Sequence, residues 1–286
     1  MTVIDRTDVF PAGTLGTARL LAGVEQLGRR DRDHHLAVHG APALRSRSWL
    51  SKALREVNLV GRGGAGFPVS LKLDAMPSRG SMNVLVNGSE GEPASHKDRT
   101  LMMAAPHLVI DGALIMAHAL GARSITVTVH DRLAHQSLVQ AARERQDTRA
   151  VSIVRTNDNF VGGEIRAVIN GLNTGSARPG GRRDLPHTHG VSKRPTFASN
   201  VETFAQIALL AAMGTANFAT TGTAAEPGTS LVTLIGDVAR LGVVEVPNGT
   251  PLKVLVPGRA DAPVLVGGYH GTWVRNAHEL VLNRGT

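Results

Sequence analysis

Between Met82 and Arg155 the chain alternates short apolar runs with longer helical patterns, and this alternation narrows the possible folds more than any other feature. Asn83-Val84-Leu85-Val86-Asn87 reads as a buried strand that ends in a polar loop, 88–95. Pro106 to Leu120 predicts an apolar helix stopping at Gly121. Ile125-Thr126-Val127-Thr128-Val129 alternates as a strand, Arg132 to Gln146 predicts a helix, and Ala150 to Arg155 a further strand. Strands separated by helices in this way argue for an α/β layer with a parallel core.

The flanks divide the rest. Residues 1–47 are polar, carry Arg29-Arg30-Asp31-Arg32-Asp33, and read as an N-terminal extension with one or two short helices. A short helix opens near Gly163-Glu164 and runs to about Gly171, followed by a Gly/Pro/Arg/His loop over 173–195. Loops of that length inside a compact domain are functional or disordered. Asn200 to Met213 predicts an apolar helix with Asn200 as N-cap and Gly214 as its end. A Thr/Ala/Gly linker covers 216–228, and beyond it Leu231 to Ile235, Val243 to Val246 and Val264 to Val266 read as strands. The expected division is an extension (1–47), a ligand-binding α/β domain (48–226) and a second domain (227–286).

The run Gly61-Arg62-Gly63-Gly64-Ala65-Gly66-Phe67-Pro68 suits a phosphate, because glycine lets backbone N–H groups crowd around an anion and Arg62 adds a positive charge. Through Gly61, Gly63 and Gly66 it also spells the glycine pattern of a Rossmann dinucleotide site. That site must follow a strand. Here Trp49, Leu50, Ala53, Leu54, Val57 and Val60 recur mostly at steps of three and four, so a helix precedes the loop and a conventional Rossmann dehydrogenase is disfavoured.

Composition removes several classes. No segment of the 286 residues approaches the run of about 18 apolar residues that a membrane span needs. The N-terminus lacks a signal-peptide pattern, so a cytoplasmic protein, or one peripheral to a membrane complex, is expected. The net charge of +8 is spread along the chain and aromatics make up only 3%, which favours a basic surface or an acidic protein partner over nucleic acid. The absence of cysteine excludes disulfides, thiolate nucleophiles and Cys-ligated clusters within this chain. His34-His35, His187 and His189 lack metal-site spacing and read as loop residues, so no metal is expected. His107 and His118, on an apolar helix, read as packed or surface residues.

Three further loops accompany the glycine run. Asn87-Gly88-Ser89-Glu90-Gly91-Glu92-Pro93, with Lys97-Asp98-Arg99 after it, follows a strand's C-terminal end, where open α/β sheets bind ligands. Phe160-Val161-Gly162-Gly163-Glu164 lies between a strand and a helix N-terminus, where backbone amides favour anions. Ser199-Asn200-Val201-Glu202-Thr203 begins another helix. Each alone is an ordinary loop, turn or cap; their joint occurrence in this order is specific.

On these four motifs the chain resembles the NADH-oxidising flavoprotein of respiratory complex I, the bacterial NADH–quinone oxidoreductase, and its relatives in NAD-reducing hydrogenases and formate dehydrogenases. The resemblance spans roughly residues 60–275, with Gly236-Asp237-Val238 to Pro247 and Gly249-Thr250-Pro251 resembling the start of a β-grasp domain. It implies an FMN-binding α/β sandwich domain followed by a partial β-grasp domain, with NADH or NADPH passing hydride to FMN. By position, Gly61, Arg62, Gly63 and Lys72, with Gly64 and Gly66 of the same loop, would line the FMN phosphate and ribityl region. Asn87, Ser89, Glu90, Phe160, Gly163 and Glu164 would surround the isoalloxazine and ribityl chain, and Ser199 and Asn200 would complete the phosphate end. Phe67 would stack on the nicotinamide dinucleotide, Glu92 would lie along it, and Arg182 would approach its phosphates. The implied partners are other electron-transfer subunits, among them a thioredoxin-like iron–sulfur protein.

Several positions depart from the family pattern. Ile165, followed by Arg166, stands where the family has a second glutamate, an exchange that would favour NADPH or another anionic donor. Ser89 replaces an aspartate and Ser199 an asparagine, while Leu73, Ala75 and Leu185 fall where aromatics for the dinucleotide are expected. The family's cysteine-bearing helical segment has no counterpart before Thr286, so truncation, or descent from a member without the cluster, is expected. The alternative reading is a non-catalytic scaffold or assembly homologue that keeps the fold without donor oxidation.

Overall fold

The computed structural model describes residues 11–24, 28–156, 163–176, 178–179, 185–257 and 263–283. Its centre is a four-stranded, wholly parallel sheet of β2 (Asn83–Gly88), β3 (Ser124–Val129), β4 (Val151–Arg155) and β5 (Thr196–Asn200), in the order β4-β3-β2-β5. Every residue of β2 is buried, as a central strand covered on both faces requires. The sequence of β3 predicts simple alternation, but Thr126 and Thr128 are buried beside Ile125 and Val127. The Thr128 hydroxyl remains satisfied by donating to the Val86 carbonyl (3.4 Å).

The helices preceding β5 are α1 (Arg32–His39), α2 (Arg47–Glu56), α3 (Val69–Asp74), α4 (Lys97–Ala104), α5 (Pro106–Leu120), α6 (Arg132–Arg143) and α7 (Ile165–Thr174). Helix α8 (Val201–Phe218) follows β5. The boundaries of α5 match the sequence expectation, with Gly121 left-handed at φ 63°. Gly214, the expected end of α8, does break its helical path at φ 74°, but one further turn reaches Phe218. Helices α5 and α8 are apolar on nearly all faces because they pack on each other and on the sheet; Gly112 lets them meet, since a Cβ there would lie 1.8 Å from the Phe204 carbonyl oxygen. Among the described residues no single helix is long and apolar enough to cross a membrane, and the apolar pair α4–α5 is bent by 95°.

His34 and His35, expected in a loop, lie on α1. The charged residues before them mask the helix, whose cap is the Asp31 carboxylate accepting from the His34 N–H (3.0 Å). His35 is buried 2.7 Å from Asp111 of α5.

A second sheet is formed by β6 (Thr229–Leu234) and β7 (Gly242–Pro247), antiparallel, with β1 (Ala12–Thr14) parallel to β7 on its outer side. The short helix α9 (Leu252–Leu255) and Val244, Val246, Leu234 and Ala277 give this region its own apolar cluster. Strands β8 (Val264–Val266) and β9 (Thr272–Val274) form a separate hairpin.

Candidate functional site

The order of the parallel sheet places the site. From β2 the chain steps outward to β3 and then β4, and it returns through α7 to lay β5 on the opposite side of β2. The direction of winding therefore reverses between β2 and β5, and a crevice opens beyond their C-terminal ends. Asn87 and Asn200 are register partners at those ends. The acidic loop after β2 and the N-terminus of α8 after β5 are thus forced to be neighbours.

The glycine loop closes over the same end. An isolated bridge pairs Val60 with Pro68, and the Gly61 N–H donates to the Phe67 carbonyl (2.9 Å), so 61–67 is a closed loop between α2 and α3. Gly64 and Gly66 adopt φ of 96° and 58°, which side-chain-bearing residues rarely reach, and both face open space. The Arg62 N–H donates to the Thr203 hydroxyl (3.0 Å), and a Cβ on Gly63 would lie 3.4 Å from the Asn200 Cβ. Arg62 Nη2 donates to the Thr229 carbonyl (3.4 Å), while its buried Nε has no hydrogen-bond partner. Between this loop and β6 lies a cleft of about 160 Å³ lined by Arg62, Gly64, Gly66, Ser230, Val232 and Asn248.

Asn87 donates from Nδ2 to the Gly163 carbonyl (2.7 Å) and accepts from the Ser89 N–H (3.1 Å). Gly163 sits against this loop so closely that a Cβ would lie 2.6 Å from both Gly91 N and the Ser89 carbonyl oxygen. Ser89 Oγ hydrogen-bonds the Thr156 hydroxyl (2.7 Å) at the end of β4. Lys72 reaches from α3 to donate to the Ala198 carbonyl (2.9 Å), and burial lowers its pKa. Ser199 is buried on β5 and Glu164 is exposed at the start of α7. Phe67 is half exposed on the glycine loop. Glu92 accepts from the Ala94 and Tyr269 N–H groups (3.1 and 2.8 Å). Phe160 and Arg182 lie outside the described residues.

The sequence motifs contained, without assigning them a role, the charges that lock these loops together. Lys97 Nζ lies 2.6 Å from Asp98, 3.2 Å from Glu202 and 3.2 Å from Asn200 Oδ1. Asn200 in turn donates to Asp98 and caps α8 by accepting from the Glu202 N–H (3.0 Å). Burial works against the Lys97 ammonium, but Asp98, Glu202 and Glu90 outweigh it and raise its pKa. Glu90, held by Ser95 Oγ, is pushed up to about 7, first by burial and then by Asp98, with Lys97 opposing. The missed signal was the pairing itself: Lys-Asp in one loop and Glu-Thr in another become informative only once both occupy buried positions.

Two departures acquire physical meanings. Ile165 packs against the apolar patch of Leu85, Val168, Ile169 and Ala198, so this position serves packing under the sheet. Leu73 is fully buried in the main core and presents nothing to a ligand, whereas Leu185 is 42% exposed. Among the described residues no three His, Asp or Glu side chains group as a metal site.

Residues 54–209 match the Nuo51 FMN-binding domain family. The chain belongs to that family. It is 32% identical over 240 residues to an NADH-quinone oxidoreductase subunit of Rhizobium meliloti (strain 1021), covering 75% of this chain and 57% of the relative. It is 28% identical over 277 residues to NADP-reducing hydrogenase subunit HndC of Solidesulfovibrio fructosivorans, covering 85% and 56%. A solved structure of an NAD+-reducing [NiFe]-hydrogenase, in the air-oxidised state, superposes with a TM-score of 0.81 at 27% identity over 97% of this chain and 51% of that one. The chain therefore spans about half the length of the curated relatives it matches.

Proposed function

We propose that this chain is the FMN-holding, NAD(P)H-oxidising part of an electron-transfer complex. The observation that carries the reading is the convergence of all four motifs on the switch point between β2 and β5, with Gly63 against Asn200, Arg62 bonded to Thr203 and Gly163 against Ser89 and Gly91. The seat suits an anionic cofactor: Gly64 and Gly66 face open space, and the buried Arg62 Nε lacks a protein partner. FMN would supply the hydride-accepting chemistry. The chain's residues bind and orient. The glycine loop, Arg62 and Lys72 would hold the phosphate and ribityl end, with Ser199 and Asn200 completing it. Asn87, Ser89, Glu90, Gly163 and Glu164, with Phe160, would surround the ring system. Glu90, its pKa raised to about 7, takes up or releases a proton near neutral pH, beside the fixed charge of Lys97.

Phe67, Glu92 and Arg182 would meet the dinucleotide donor. The exchange of the family's second glutamate for Ile165, followed by Arg166, leaves the start of α7 less negative, which would favour a donor carrying an additional phosphate. Residues 48–226 would form the cofactor domain and 227–286 the β-grasp-type domain; no cysteine lies within these 286 residues, so a cluster taking electrons from the flavin would be held by residues outside them, among them those of a partner thioredoxin-like iron–sulfur protein. The expected setting is cytoplasmic, peripheral to a larger complex. The open glycine loop and the unpartnered Arg62 Nε favour a seat that takes a ligand over a scaffold that keeps only the fold.

The test is the visible spectrum of the purified chain after FMN reconstitution, before and after anaerobic NADH and NADPH. Uptake of flavin and bleaching of its absorbance by at least one donor are expected. A protein that takes up no FMN overturns the seat, and a flavin inert to both donors overturns the donor assignment.

A further inference from the structure

Glu92 is claimed from a direction the sequence motifs do not suggest. Its Oε2 accepts from the Tyr269 N–H (2.8 Å), in the tight turn that joins β8 to β9. The contact is built for glycine. Gly268 has φ 71°, a conformation that side-chain-bearing residues rarely adopt, and a Cβ there would lie 2.6 Å from Glu92 Cδ, so a larger residue would strain the turn and displace the carboxylate from it. Gly271 is equally tight, with a Cβ position 2.0 Å from the Val266 carbonyl oxygen, which holds the hairpin in the shape that presents the turn. The backbone of 268–269 is thus pinned to the acidic loop of the cofactor seat.

The side chain at this pinned position is the only tyrosine in a chain with six phenylalanines and two tryptophans. Phe197, Phe204 and Phe218 are fully buried in the core, yet Tyr269 is 75% exposed and Trp273, on the same hairpin, 66%. An aromatic ring so exposed adds little to the core and is accessible to a planar partner on which it can stack. With its backbone fixed to Glu92, the Tyr269 ring has less freedom to lose on binding than one on an untethered loop.

We propose that the turn at Gly268 and Tyr269 is a wall of the donor site and that Tyr269 stacks on a heteroaromatic ring of the dinucleotide that lies along Glu92. The inference rests on the flavin-seat reading for the place of Glu92, and it adds a contribution from the second half of the chain to donor binding. It assigns Tyr269 a positioning role, with no part in hydride transfer itself.

The experiment measures equilibrium binding of NAD+ and NADP+ to the full chain reconstituted with FMN, alongside the FMN dissociation constant. Tyr269→Ala should weaken binding of at least one dinucleotide about tenfold, the loss of one ring-stacking contact. Tyr269→Phe should stay within about twofold of the parent, because the phenyl face is kept. Gly268→Ala, which strains the turn and crowds the Glu92 carboxylate out of it, should weaken the same dinucleotide while FMN affinity holds in all three variants. The proposal is overturned if Tyr269→Ala binds both dinucleotides as the parent does, if Phe fails to restore what Ala loses, or if the parent binds neither. Failure of the flavin reading looks different: the parent then takes up no FMN, and a dinucleotide affinity that still falls in Tyr269→Ala would uphold the stacking role alone.

Discussion

Lys97 carries more of the site's architecture than its surroundings suggest. A largely buried ammonium is stable against buried carboxylates, and it is the cation that balances the charges of Asp98 and Glu202, 2% and 1% exposed. Removing the ammonium leaves two unpaired charges. Lys97→Met should therefore lower stability by about 3–5 kcal/mol in denaturant titration, while Lys97→Arg should recover much of it. Glu90 in the same cluster yields a pH prediction. Its folded pKa of about 7 lies above the ordinary 4.5, so the folded state binds the extra proton between those values. Its contribution to stability is fully present below about pH 4.5 and is lost as pH rises through 7. The denaturation midpoint of the parent relative to that of Glu90→Gln should fall as pH rises across this window, because only the parent loses this contribution.

Elements differ in how far their sequence announces them, and the reasons are physical. The crossing of α5 on α8 depends on Gly112, whose missing Cβ lets the Phe204 backbone approach. Gly112→Ala should cost about 3 kcal/mol by forcing the helices apart, read as a lowered thermal midpoint. Strand β2 and both of these helices were legible because a fully buried element is largely apolar along its length, and β3 because its Ile/Thr/Val alternation reads as a strand. Helix α4 was not, because it opens on Lys97, Asp98 and Arg99, and a charged triplet reads as loop unless its partners across the fold are known. Strand β5, Thr-Phe-Ala-Ser-Asn, was hidden between a proline and a helix cap. Its strand character comes from hydrogen bonding to β2, a non-local fact. The candidate site was therefore readable as four motifs, while the element that brings two of them together was not.

At the scale of the whole molecule, one carboxylate joins the segment before α1 to the second sheet. Glu245 on β7 is fully buried and accepts the N–H groups of Arg19, Leu20 and Leu21 (3.0, 2.9 and 2.9 Å) and the Thr229 hydroxyl (2.6 Å). Arg19 then turns its guanidinium to the end of α8, donating to the Phe218 and Asn217 carbonyls (2.6 and 3.1 Å) and lying over the Phe218 ring. The N-terminal segment is thus bonded both to the second sheet, which β1 also extends, and to the helix whose other end carries Asn200. Glu245→Ala would leave three buried amides and a hydroxyl without acceptors, a loss of at least about 3 kcal/mol. Amides of 19–21 should then exchange with solvent faster than those of β2 and β3, whose hydrogen bonds lie wholly within the parallel sheet. Equal acceleration across the molecule would mean that the N-terminal segment unfolds together with the flavin seat. Acceleration confined to 12–21 and to β6 and β7 would show that the seat stands without it.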